Sequence, residues 1–195
     1  MFFVRNAVFA VVMVSLVASA GETSAQGDKK EREAIAKEVA TKIAELPQFT
    51  AFDWVTFDVS SANVVDLKGM AISTALRTDA EEVAKKVKGV EGVHNSIEYV
   101  RRSMIDDKIR VMAYNAIYQT YLAKYQKECM YQFVGATTAA LPRGPHPIQI
   151  LVDKGNVTLQ GHVHSAEDKA TASKAVENVG GLVKSLTNLL TVTHE

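Results

Sequence analysis

Two stretches of this chain repeat each other about ninety residues apart, and a fold built twice leaves few architectures open. The first copy reads Val65-Asp66-Leu67-Lys68-Gly69, then a charged helical run, then Val87-Lys88-Gly89-Val90 and His94-Asn95-Ser96-Ile97. The second reads Val157-Thr158-Leu159-Gln160-Gly161, a similar run, then Val179-Gly180-Gly181-Leu182 and Thr187-Asn188-Leu189-Leu190, with one extra residue just before Asn188. The copies share no acid, base, thiolate or metal-ligand cluster. A duplicated scaffold of that kind points to binding rather than catalysis.

Periodicity supplies the elements. Ile35, Val39, Ile43 and Leu46 form one apolar stripe from Glu31 until Pro47, which removes a donor and restricts Leu46. Trp54 to Val59 alternates as a strand, Ser60 to Asn63 is turn chemistry, and Val65 to Lys68 pairs back, ending at Gly69. Thr74 to Lys88 reads as a helix, with Thr78 and Glu81 as a capping box if it starts late, and Gly89 or Gly92 as its stop. Val93 to Val100 is a third strand. The second copy repeats the order: a helix from Asp106 to about Tyr125, a strand Ile148 to Val152, and a tight turn through Asp153, Lys154, Gly155 and Asn156. Val157 to Gln160 pairs back, a helix capped from Ser165 to Asp168 follows, and Leu186 to Thr193 closes the unit. The expected fold is α+β: two tandem αββαβ domains, each a small mixed three-stranded sheet with two helices packed on one face.

The N-terminus reads as a signal peptide over residues 1–20: Arg5, an apolar run Ala7 to Ala18, and the small residues Ala18-Ser19-Ala20, with a second possible cut up to residue 26. An uncleaved anchor is the alternative, since the run is nearly long enough to span. Residues 21–30 read as linker, 31–102 as the first domain, and 103–195 as the second with an insertion at 122–146. With 22 basic and 22 acidic residues the chain lacks the basic surface that strong nucleic-acid binding requires. Cys129 is the only cysteine, so no internal disulfide forms and no lipid-anchor cysteine follows the signal. Its thiol is buried, free, or paired between chains.

The turn followed by Val-x-Leu-x-Gly, the capped helix, and the Val-x-Gly…Asn-x-Leu-x-Val ending resemble the BON domain (bacterial OsmY and nodulation domain). Both copies carry the pattern, Ile148 to Val192 more closely. In the first, Ser61-Ala62-Asn63 replaces the usual Gly turn and Asp66 sits within the strand. Gly69, Gly89, Asn95, Gly155, Gly161, Gly181 and Asn188 mark the shared framework. The resemblance implies an exported, periplasmic envelope protein linked to osmotic or membrane stress, with phospholipid binding as its activity. It transfers no catalytic residue and no cofactor.

The helix opening the second copy carries two apolar stripes where α-helical geometry needs one. Ile105, Ile109, Ala113, Ala116, Ile117 and Thr120 are expected to face the sheet. Tyr114, Tyr118, Tyr121 and Tyr125 run along the opposite side, widened by Val111 and Leu122, with Lys124 and Lys127 near the end. The tyrosine face suits a phospholipid interface, where rings are buried and hydroxyls stay wet. In dual-domain relatives the resemblance attributes lipid contact to this same helix. The same face also suits an envelope protein partner or self-association, or packing against the first domain or the insertion. The insertion, in which Tyr131, Phe133 and Val134 suggest a buried return, reads as a lid over the core. His162 and His164 share a strand face but lack a third ligand, so no metal site is expected.

Overall fold

The structure, a computed structural model, describes residues 25–131, 136–137 and 140–193. The signal segment, Phe133, Val134 and His194 lie outside the described residues. Helix α1 (Ala25–Ala44) buries Ile35, Val39 and Ile43 in the first core, as their four-residue spacing requires. It begins inside the stretch expected to be linker, where Lys29 and Glu33 pair one turn apart. Strands β1 (Trp54–Val59) and β2 (Val64–Ala71) form an antiparallel hairpin, and β2 runs parallel to β3 (Gly92–Tyr99), giving the order β1-β2-β3. Asn63 supplies the positive φ of 53° that a hairpin turn needs and that Gly usually provides.

Helix α2 (Thr74–Lys85) crosses between β2 and β3. Its cap is Ser73, whose side chain accepts from the Leu76 amide, not Thr78 with Glu81. Thr78 bonds back to the Thr74 carbonyl, and Glu81 is taken by Lys85 and Asn95. The helix also stops before the expected glycines; Gly89 instead serves the next turn, closed by Val90 N–H to the Val87 carbonyl.

The second domain repeats the plan with α3 (Met104–Tyr114), β4 (Ile148–Asp153), β5 (Asn156–Val163) and α4 (Ala166–Glu177). Lys154 and Gly155, at φ 51° and 85°, make the expected tight hairpin turn, and Ser165 caps α4 through the Asp168 amide. The third strand position is broken into β6 (Ser185–Asn188) and β7 (Thr191–Val192), both parallel to β5. The two framework asparagines explain themselves here. Asn95 donates to the Arg77 carbonyl on α2 and accepts from Ile97 N–H. Asn188 donates to the Lys169 carbonyl on α4 and accepts from Leu190 N–H. Each ties its crossover helix to the third strand, and in the second copy it also spans the break. Of the framework glycine pair, Gly180 holds a positive φ, 101°, and Gly181 does not.

The expected continuous α-helix from Asp106 to Tyr125 does not form. After α3 the chain enters a π-helical segment, Asn115–Tyr121, closed by Leu122 N–H on the Ile117 carbonyl, and then 3-10 turns over Ala123–Glu128. Wider turns break the 100° register on which the two stripes were drawn. Ile105 and Thr120 face solvent, whereas Leu122 is buried. The described part of the insertion is a joint between the domains. Ala51 N–H donates to the Pro142 carbonyl, Gly144 N–H to the Phe49 carbonyl, and Ala51, Phe52 and Ile72 of the first domain enter the second domain's core. Ala136 is buried and exchanges two hydrogen bonds with Asn115, but Tyr131, whose ring folds back beside Gly144, is exposed rather than buried.

Candidate functional site

The aromatic stripe is not a surface. Tyr114, Tyr118 and Tyr125 are fully buried, and each hydroxyl holds a different element. The Tyr114 hydroxyl meets His146 Nε2 at 3.3 Å, with the ring edge-on to Phe52. Tyr118 both donates to the Ile148 carbonyl and accepts from the Ile148 amide, at 2.8 Å each, so one phenol replaces a missing strand partner. Tyr125 donates to Asp168 at 2.9 Å and accepts from His164 N–H at 2.6 Å, fixing the entry to α4. Burial drives all three phenol pKa values upward, so they stay neutral donors. Buried tyrosines need hydroxyl partners, and these have them.

Lys124 is also occupied: its ammonium lies 2.8 Å from Asp168 and above the Tyr125 ring. Burial raises the Asp168 pKa, but hydrogen bonds from Lys124, Tyr125 and Ser165 outweigh it, leaving the carboxyl below its usual range. Of the expected face, Lys124 is exposed but paired, whereas Tyr121, 40% exposed with its hydroxyl accepting from Asn178, and Lys127 are exposed without an acidic partner among the described residues. Cys129 is buried, its thiol pushed up to about 12 by burial and then by Glu128, which makes it a packing residue. Among the described residues no group of three or more His, Cys, Asp or Glu can hold a metal ion, and His164 stands 3.4 Å from Glu128 instead.

An accessible apolar feature appears at the start of the same helix, about two and a half turns before Tyr114. Ser103 caps α3 by accepting from Asp106 N–H, which places Met104 and Ile105 at the first two helical positions, 90% and 60% exposed. The buried Asp106 carboxylate accepts from Lys154 and Gly155 amides, and Lys184 N–H donates to the Gly155 carbonyl. The start of α3, the β4–β5 turn and the α4–β6 connection therefore form one end of the second domain. Arg101, Lys108, Lys154 and Lys184 are exposed around it. Its acids are mostly neutralised: Asp107 is held by Arg102 at 2.9 Å and Arg110 at 2.8 Å, and Asp153 lies 3.6 Å from Lys154. The result is two bare apolar side chains in a basic setting. Periodicity hid this by assigning Ile105 to the core. The spacing of Ser103 and Asp106, read as a cap, marks Met104 and Ile105 as the exposed first turn.

Two tandem αββαβ units locked by a shared joint, with an apolar and basic end, define a two-domain α+β scaffold. The chain belongs to the BON domain family, which matches residues 31–101 and 136–194. The tyrosine-bearing helix falls in the gap between the matched segments. Members of the family are commonly associated with membrane or phospholipid binding, are typically envelope-associated, and are generally non-catalytic. A solved structure of CdsD, a structural protein of the type III secretion system of Chlamydia trachomatis, is 8% identical over 83% of this chain and 93% of its own, with a TM-score of 0.31. The C-terminal domain of CdsD gives 9% identity over 80% and 96%, with a TM-score of 0.26. Likenesses that distant carry no functional argument. A comparison with curated proteins finds no match.

Proposed function

We propose that this chain is a non-enzymatic, periplasmic envelope protein that docks reversibly on phospholipid surfaces and serves envelope maintenance under osmotic or membrane stress. The observation that carries the reading is the pair Met104 and Ile105, held out at 90% and 60% exposure beside Arg101, Lys108, Lys154 and Lys184. Inserting two such side chains yields about 1.5–3 kcal/mol each. Basic residues near an anionic surface add about 1 kcal/mol apiece. That sum supports micromolar-range, salt-sensitive attachment rather than permanent anchoring. No helix among the described residues is long and apolar enough to cross a membrane.

Co-sedimentation with vesicles of phosphatidylglycerol in phosphatidylcholine tests the reading. The Met104→Ser/Ile105→Ser variant is expected to bind at least about tenfold more weakly. Raised salt weakens the wild type. Full vesicle binding by the folded double variant sinks the proposal. Association that persists without vesicles and ignores salt would assign this end to an envelope protein partner or to self-association.

A further inference from the structure

The joint between the domains holds an open cleft of about 300 Å³ that the docking reading leaves unused. Gln48, Thr50 and Ser73 line it from the first domain, Arg102 from the connection, and Leu141 and Arg143 from the insertion. Two arginines share this wall, and among the described residues no Asp or Glu does.

Of the nearby acids, two are engaged away from these arginines, and the third, Asp107, lies on Arg102 but is shared with Arg110. Asp53 accepts from Thr50 and from Ile72 N–H, Asp79 from Gln48, and Asp107 from Arg102. Arg143 has no carboxylate within ion-pair distance among the described residues; its Nε donates to the Pro47 carbonyl at 3.1 Å, which fixes the side chain and leaves its terminal nitrogens. Arg102 is braced through Nε and Nη2 on Asp107 in the same way. Ser73, the cap of α2, brings the positive end of a twelve-residue helix whose first turn carries no acid. Like charges gathered in a rigid cleft repel each other until an anion sits between them. The planar fork of arginine fits the oxygens of a phosphate.

We propose that this cleft binds a phosphate group, bridging Arg102 and Arg143 and so fastening the two domains to each other. The phosphate comes either from a small soluble phosphate or from a lipid headgroup, for Arg102 stands two residues from Met104.

Inorganic phosphate titrated into the full chain, against chloride at matched ionic strength, is expected to raise the Tm. Arg143→Gln should weaken that response at least tenfold, roughly the value of one charge-assisted contact. Because Arg143 also holds the Pro47 loop, Arg102→Gln serves as a second variant. Lys29→Gln, an equal charge loss on α1, should respond like wild type. Phosphatidylglycerol vesicles separate the two sources: a response to vesicles alone, lost in both arginine variants and kept in Lys29→Gln, assigns the phosphate to a headgroup. Silence in both arms, or responses unchanged by both arginine variants, overturns the site. Met104→Ser/Ile105→Ser should weaken vesicle binding at least about tenfold while leaving any free-phosphate response intact, so this cleft and the docking end fail independently.

Discussion

The strands that open the two sheets occupy the same place in the repeat and live in different surroundings. In β1 burial alternates, with Val55 and Phe57 inward and Trp54, Thr56 and Asp58 half-exposed. In β4 every residue but the last is buried. Its outer edge is closed by groups that belong to no strand: the Tyr118 hydroxyl at Ile148, the Ala51 carbonyl at Ile150 N–H, and the Arg110 guanidinium at the Val152 carbonyl. Gln149, with its amide turned to pair both ends, adds bonds to the Ala51 and Asp53 carbonyls and from His146 N–H. An uncovered strand edge invites pairing with another chain. The two sheets thus share one plan, and the second is the seat on which the first domain docks.

What both copies must share is the close approach at the end of the hairpin, and this gives the largest expected effect. A Cβ at Gly69 would overlap the Trp54 carbonyl oxygen, and one at Gly161 the Pro147 carbonyl oxygen, at φ 129° and 117°. Gly69→Ala and Gly161→Ala should each cost about 4 kcal/mol, combining about 1–3 of backbone strain with about 1–3 of overlap. Urea unfolding measures both. A tolerated alanine in one copy alone would show that the repeat is not equivalent at its most constrained point.

The joint carries one buried titratable group from each side, and they act oppositely. Burial lifts the Asp53 carboxyl from 3.8 to about 6 against the bonds from Thr50 and Ile72 and the charge of Arg110. Its contribution to stability is therefore complete below pH 3.8 and is lost as pH rises through 6, about 3 kcal/mol in all. Burial lowers His146 from 6.5 to about 4, although its ring meets the Gly144 carbonyl. Its contribution is complete above pH 6.5 and is lost as pH falls towards 4, again about 3 kcal/mol. The two slopes nearly cancel between pH 4 and 6. Relative to wild type, Asp53→Asn should become less stable as pH falls through that window, and His146→Gln more stable. Unfolding curves at several pH values check this; unchanged slopes in both variants would refute it.

The repeat made most of the fold legible. Alternation located β1 to its end residues, four-residue steps located α1, and the Lys154–Gly155 turn and Ser165 cap were each written in local chemistry. The misreading at the site has two physical causes. Tyr114 is already buried within α3, and beyond it a π segment and then 3-10 turns carry Tyr118 and Tyr125, a path that a fixed 100° step cannot follow. The groups that cover them, Phe52, His146, Ile148 and Asp168, lie far away in sequence, and Phe52 comes from the other domain. The asparagines were visible as a repeated letter, but their work on α2 and α4 was not.

Tyr118 offers the finest comparison, because the first domain has no phenol playing its part. Tyr118→Phe keeps the ring and its packing against Tyr114 and His146, 4.8 and 5.3 Å between centroids, so the core volume is preserved. It removes a single oxygen, leaving the Ile148 N–H and carbonyl without that partner inside the protein. An unsatisfied buried group costs about 1–3 kcal/mol, and partial compensation by relaxation puts the expected loss near 2 kcal/mol. The loss should be local as well as global. Hydrogen exchange at Ile148 and Ile150 should speed up together, since the Ala51 bond to Ile150 shares the same edge, while the β1 amides stay protected as in wild type. Equal loosening of β1 and β4 would mean that the hydroxyl supports the whole molecule rather than the edge it touches. Unchanged exchange at both residues would mean that the joint holds β4 without it.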